Sequence, residues 1–219
     1  LQPNTNYSVT DVTLSTIEEL AFNPQVVSIS IAGTLEGQDL TGLSAAQFIA
    51  LTSDKVEEYP GSVHVSESAS NFLTVFNAEV LEEIAFGVVE FNEDYPSETF
   101  PSFSADLTDA NPREAGVASV LEGQAEALGV PVGTISISMA SDLSIESLQG
   151  LSVIEALAVM DAAANAPSIE DITVADTAEQ ILENKSHFDV GGALEGLSPD
   201  SVAAENVSRD DINEVIGAT

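Results

Sequence analysis

The 219-residue chain is large enough to bury a real core, and its 44% hydrophobic content separates it from disordered acidic tails. Thirty-seven Asp and Glu stand against four Lys and Arg, a formal charge of −33 that repels phosphate backbones and anionic membranes alike. There is no Cys, which excludes disulfides, thiolate metal sites and cysteine nucleophiles.

In chain order, residues 7–12 alternate and carry β-branched side chains, the pattern of a strand. A short helix follows over 16–22, capped by Thr13 or Ser15 and stopped by Asn23 and Pro24. Residues 26–31 read as the next strand, and 33–39 as a turn-rich connection. Ser44 is placed to cap a helix over 45–52, Val63 and Val65 open a third strand, and Ser66 or Ser68 starts one or two helices running to about Phe86. Gly87 is expected to end that helix, with a short strand over 88–91 and a loop over 92–101. A strand near 103–109, a helix over 112–128 behind Asn111, a strand over 134–139, a helical segment over 152–164, a strand over 172–174 and a helix from Thr177 to about Lys185 complete the pass.

The chain repeats itself. Residues 40–51 recur 108 positions later at 148–159, and 27–33 recur at 135–141 with the same offset. With one residue of drift, 63–69 match 172–178, and Thr108 with Asp109 answers Thr10 with Asp11. Ordered matches in nearly one register mark an internal duplication, with copies at 1–102 and 103–219. Near the end, 206–212 echo 11–17, as if a further unit were beginning there. Short strands alternating with short helices require crossovers, hence parallel strands. The expected fold is α/β and repeat-like, either a solenoid or two tandem similar lobes.

The units resemble the repeats of very large secreted bacterial proteins of the surface-layer, adhesin and type I secretion kind. The pattern V-x-V-x-D-T-A-x-x-I is met at Ile172, Val174, Asp176, Thr177, Ala178 and Ile181, and more weakly at 63–72, with Glu67 in the Asp position. Tyr7, Val9, Val12 and Thr13 are similar to a companion unit, Y-x-V-x-x-V-T, and 40–51 to an L-T-x-x-A-A-Q helical segment. The heavy acidity departs from that family, and the glycine-rich nonapeptide signature for calcium is not met at Gly191 and Gly192. The chain opens on Leu1 with no basic segment leading into an apolar one, and is read as a processed or excised piece of an exported precursor.

No catalytic residue is singled out, and the chain is read as a non-enzyme. The histidines are His64, on an alternating strand, and His187, at a helix end; neither sits in a nucleophile elbow, an HExxH pair or a phosphate loop. Calcium is the expected ligand, because it accepts many oxygens in irregular loops. Two clusters suit it: Asn92, Glu93 and Asp94, and Asp106, Asp109 and Asn111. Their plainer role is a solvated acidic turn. Sequons stand at Asn6, Asn184 and Asn206. Together these features lead us to expect an extracellular structural subunit of a surface layer, matrix fibre or adhesin stalk. It self-associates once cations screen its carboxylates, and neither binds nucleic acid nor inserts into a membrane. A ligand- or receptor-binding module using the 92–101 loop is the alternative.

Overall fold

In a computed structural model, the protein is described over residues 6–57, 60–94, 100–162 and 164–205, with the side chains of 90–94 and 199 excepted. The fold is α/β with parallel sheets. Its elements are β1 (Tyr7–Val12), α1 (Leu14–Ala21), β2 (Val26–Ile31), β3 (Asp39–Leu43), α2 (Ala45–Leu51), β4 (Ser62–Ser68), α3 (Ala69–Val75) and α4 (Ala78–Asp94). They continue with β5 (Ser102–Ala110), α5 (Pro112–Ala127), β6 (Val132–Met139), α6 (Val153–Met160), β7 (Val174–Thr177), α7 (Ala178–Glu183) and β8 (Val202–Glu205).

The chain forms two compact units, one of Leu1–Leu107 with Leu121–Ile135, the other of Thr108–Val120 with Ser136–Thr219. The three boundaries fall inside β5, α5 and β6, so the compact units do not follow the ends of the sequence copies.

In the first unit β1 pairs with β2 and β3 with β4, each parallel, and β2 extends by a bridge from Ile29 to Val56. β3 to β6 lie in sequence order in one sheet. Alternation explains the burial. Val63 and Val65 of β4 and Phe103, Ala105 and Leu107 of β5 point inward, while the residues between them keep solvent access. Phe48 of α2, Phe72 of α3, Phe76 and Phe103 form one aromatic core, with Phe48 and Phe103 stacked at 4.5 Å between ring centroids. Burying each such ring contributes about 1.5–3 kcal/mol.

In the second unit β7 pairs with β8 in parallel, Leu151 bridges to Val174, and Ser138 to Ala164. Its core gathers Val153 and Val159 of α6, Ile172, Val174, Ile181 of α7 and Leu194.

Three expectations are corrected. The strand over 88–91 and the start of the 92–101 loop are instead the end of α4, which runs through Gly87 to Asp94. Leu81, Ile84 and Val88 are buried at helical spacing, so the apolar stripe crosses the glycine, and that packing outweighs its weak helix propensity. Residues 95–99 of the loop lie outside the described residues, and Phe100 and Pro101 are buried. Residues 40–43, read as the start of the helical segment 40–51, instead form a strand, β3, in which Gly42 adopts φ of +73°. The helix over 152–164 stops at Met160, and Ala164 instead bridges to a strand.

Candidate functional site

Of the side chains the sequence nominated for calcium, those of Asn111 and Asp106 have neighbours within the chain, and those of Asn92, Glu93 and Asp94 lie outside the described residues. Asn111 is the N-terminal cap of α5: its Oδ1 accepts from the Glu114 amide at 3.0 Å, and Glu114 Oε2 accepts from the Asn111 amide at 3.0 Å. That reciprocal pair satisfies two of the amides a helix start leaves open. Asp109 is exposed and holds φ of +56°, kinking the end of β5. Asp106 faces a histidine. Asn92, Glu93 and Asp94 close α4, where their backbone is helical rather than looped. Among the described residues no group of three or more His, Asp and Glu is arranged to hold a metal ion. Of the sequon asparagines, Asn6 is exposed, Asn184 donates its side-chain amide to the Gln180 carbonyl, and Asn206 lies outside the described residues.

Chemistry-bearing side chains do converge at one place the sequence left uncoupled. His64 on β4 reaches Ser104 and Asp106, two residues apart on β5 and so on one face of the sheet. The ring Nδ1 lies 2.8 Å from Ser104 Oγ, and Nε2 lies 3.1 Å from Asp106 Oδ2. The carboxylate can only accept, so Nε2 carries a proton, and in the neutral ring Nδ1 then accepts from the serine hydroxyl. The Asp106 side chain is 59% exposed, and the trio lies on the outer, half-wet side of the sheet. As a cross-strand clasp the trio pins β4 to β5. Nothing in the spacing of His64, Ser104 and Asp106 along the chain foretold that contact.

The constellation that occurs twice is structural. Ser44 caps α2 with Gln47 in a reciprocal box, and Ser152 caps α6 with Glu155 in the same way. Glu67, at the end of β4, accepts from the Ala45 amide at 2.7 Å; Asp176, at the end of β7, accepts from the Val153 amide at 3.0 Å. Each carboxylate therefore sits on the first turn of the preceding helix, where the helix dipole favours negative charge. The next residue, Ser68 or Thr177, caps the helix that follows. The residue after that, Ala69 or Ala178, is buried. Gly42 and Gly150 share a left-handed backbone, as do Asp11 and Asp109. Ala32 donates to the Val12 carbonyl and Ala140 to that of Ala110, both at 2.9 Å.

One of the few cations is placed with similar economy. Lys55 Nζ donates to the carbonyls of Ala21 and Asn23 at 2.6 and 3.0 Å, neutralising the C-terminal end of α1. Among the described residues no helix is long and apolar enough to cross a membrane. In comparison with known proteins, no family model, no curated protein and no solved structure matches the chain.

Proposed function

We propose that the chain is a non-enzymatic structural module of an extracellular assembly, such as a surface layer, matrix fibre or adhesin stalk. The observation that carries this reading is the duplicated cell, in which strand, helix and strand recur with the same caps and the same carboxylate-to-helix hydrogen bond. The chemically distinctive residues of the repeat, Glu67 with Ser68 and Asp176 with Thr177, are used in joining one element to the next. An architecture of this kind grows by adding cells, each buried against its neighbours. The acidic surface keeps single copies apart until cations reduce their repulsion, with calcium the natural cation outside the cell.

Sedimentation velocity across separate calcium and NaCl titrations, each starting from low ionic strength, tests this reading. Growth into larger species, reversed by EDTA in the calcium series, is the expected result. A monomer at every calcium, salt and protein concentration would remove the reading.

One observation favours a second reading, a hydrolase: the hydrogen-bonded series of Ser104, His64 and Asp106. A nucleophile, a base and an orienting carboxylate are the parts such an enzyme needs. Labelling by a fluorophosphonate probe that is lost in His64→Ala would support it. Labelling no different from Ser104→Ala would leave the trio as a clasp.

A further inference from the structure

The duplication makes β1, β5 and β8 three versions of one strand. Asp11 and Asp109 mark the same kink in β1 and β5, followed by the same hydrogen bond from Ala32 or Ala140. The echo of 11–17 in 206–212 extends the alignment, setting Val202 of β8 beside Tyr7 and Ala105. Their neighbours correspond as well. β5 lies between β4 and β6. β7 is the counterpart of β4 and carries β8 where β4 carries β5. β2 is the counterpart of β6 and carries β1. Among the described residues, β1 has no strand on the edge where β5 meets β4.

Register supports the equivalence. His64 touches both Ser104 and Asp106, which puts its neighbour Val65 beside Ala105 or Leu107. The counterparts of Val65 and Ala105 in the second copy are Val174 and Val202, and those two residues are register partners. Burial shows what a complete setting adds. Between two strands, Ala105 and Leu107 are fully buried, whereas at the edge Tyr7 is 42% exposed and Val9 half-buried. Among the described residues of β8, Val202–Glu205, none is fully buried. β1 also lacks the Lys and Pro that blunt a free edge.

We propose that β7 is a docking strand for β1 of a second copy, which takes the place of β8. The proposal rests on the structural-module reading and names its joint. Exchange replaces one ladder of main-chain hydrogen bonds by another, and covers Tyr7 and Val9 as Ala105 and Leu107 are covered within the chain. The incoming Tyr7, Ser8 and Val9 then stand opposite Val174, Ala175 and Asp176, the register now held by β8.

The chain has no Cys, so introduced thiols report directly. Ala175→Cys with Ala203→Cys places two cysteines at partnered positions and, once oxidised, locks β8 onto β7. Sedimentation velocity at about 1 M NaCl, where the screening length is about 3 Å, compares locked, reduced and unaltered chains. The expected result is association of the unaltered and reduced chains, and a monomer for the locked one. In addition, Ser8→Cys chains mixed with Ala175→Cys chains form a covalent mixed dimer, while Phe22→Cys chains mixed with Ala175→Cys chains do not. If the locked chain associates as well as the unaltered one and the mixed dimer does not form, the joint lies elsewhere: the proposal falls and the module reading stands. If the unaltered chain stays monomeric here and at every other calcium, salt and protein concentration, both fall.

Discussion

Asp176 joins two helices by one side chain: Oδ2 accepts from the Val153 amide at the start of α6, and Oδ1 from its neighbour Thr177 at the start of α7. Val153 is fully buried, so without that acceptor its amide has no access to water. Asp176→Ala is expected to cost about 1–3 kcal/mol, the penalty for an unsatisfied buried donor. Asp176→Asn keeps an acceptor oxygen and is expected to cost less than the alanine change in urea unfolding; equal losses would point to charge rather than hydrogen bonding. Lys55 offers the converse test at a helix end. Lys55→Met keeps the apolar stem but leaves the carbonyls of Ala21 and Asn23 without their charged donor, for an expected loss of about 1–2 kcal/mol. A variant as stable as the parent in the same unfolding measurement would remove this account of a rare cation.

At the scale of elements, α5 contains its own control. A Cβ on Gly116 would lie 2.8 Å from Glu155 Cγ and 3.2 Å from its Cα, whereas one on Gly123 meets nothing within 4 Å. Glu155 cannot easily give way, because its amide and carboxylate both belong to the Ser152 capping box. Gly123→Ala is therefore expected to stabilise by up to about 1 kcal/mol through helix propensity, and Gly116→Ala to destabilise despite that gain. Thermal unfolding of both variants decides it; equal gains would deny the close approach. Much of this architecture was legible in the sequence. The caps Ser44, Ser68, Asn111 and Thr177 stand where polar residues precede apolar periodic runs, and the duplicated cell follows the sequence offsets. A misreading arose where one local signal outweighed a longer one. Gly87 and the β-branched pair after it hid the stripe of Leu81, Ile84 and Val88. The meeting of His64, Ser104 and Asp106 was illegible for a different reason, since it depends on which strands become neighbours and in what register.

For the whole molecule, the unbalanced charge sets a term that no single contact offsets. Two carboxylates 10 Å apart in water repel by only about 0.4 kcal/mol, but 37 acidic groups on one chain make many such pairs. Unfolding spreads them, so self-repulsion opposes the compact state and salt favours it. Raising NaCl from about 0.05 to 1 M shortens the screening length from well over 10 Å to about 3 Å and is expected to raise the thermal midpoint. Calcium separates two mechanisms when compared with magnesium at equal concentration and ionic strength. Diffuse screening makes the two ions equivalent, whereas a built site that binds calcium only in the folded state adds a stabilisation growing with the logarithm of its concentration. With no group of three or more His, Asp and Glu arranged for a metal among the described residues, equal shifts are the expected outcome. A calcium-specific rise would instead place a site among residues such as Asn92, Glu93 and Asp94, whose side chains lie outside those described. An unchanged midpoint across the NaCl series would show that the carboxylates are spaced too widely for their repulsion to govern folding.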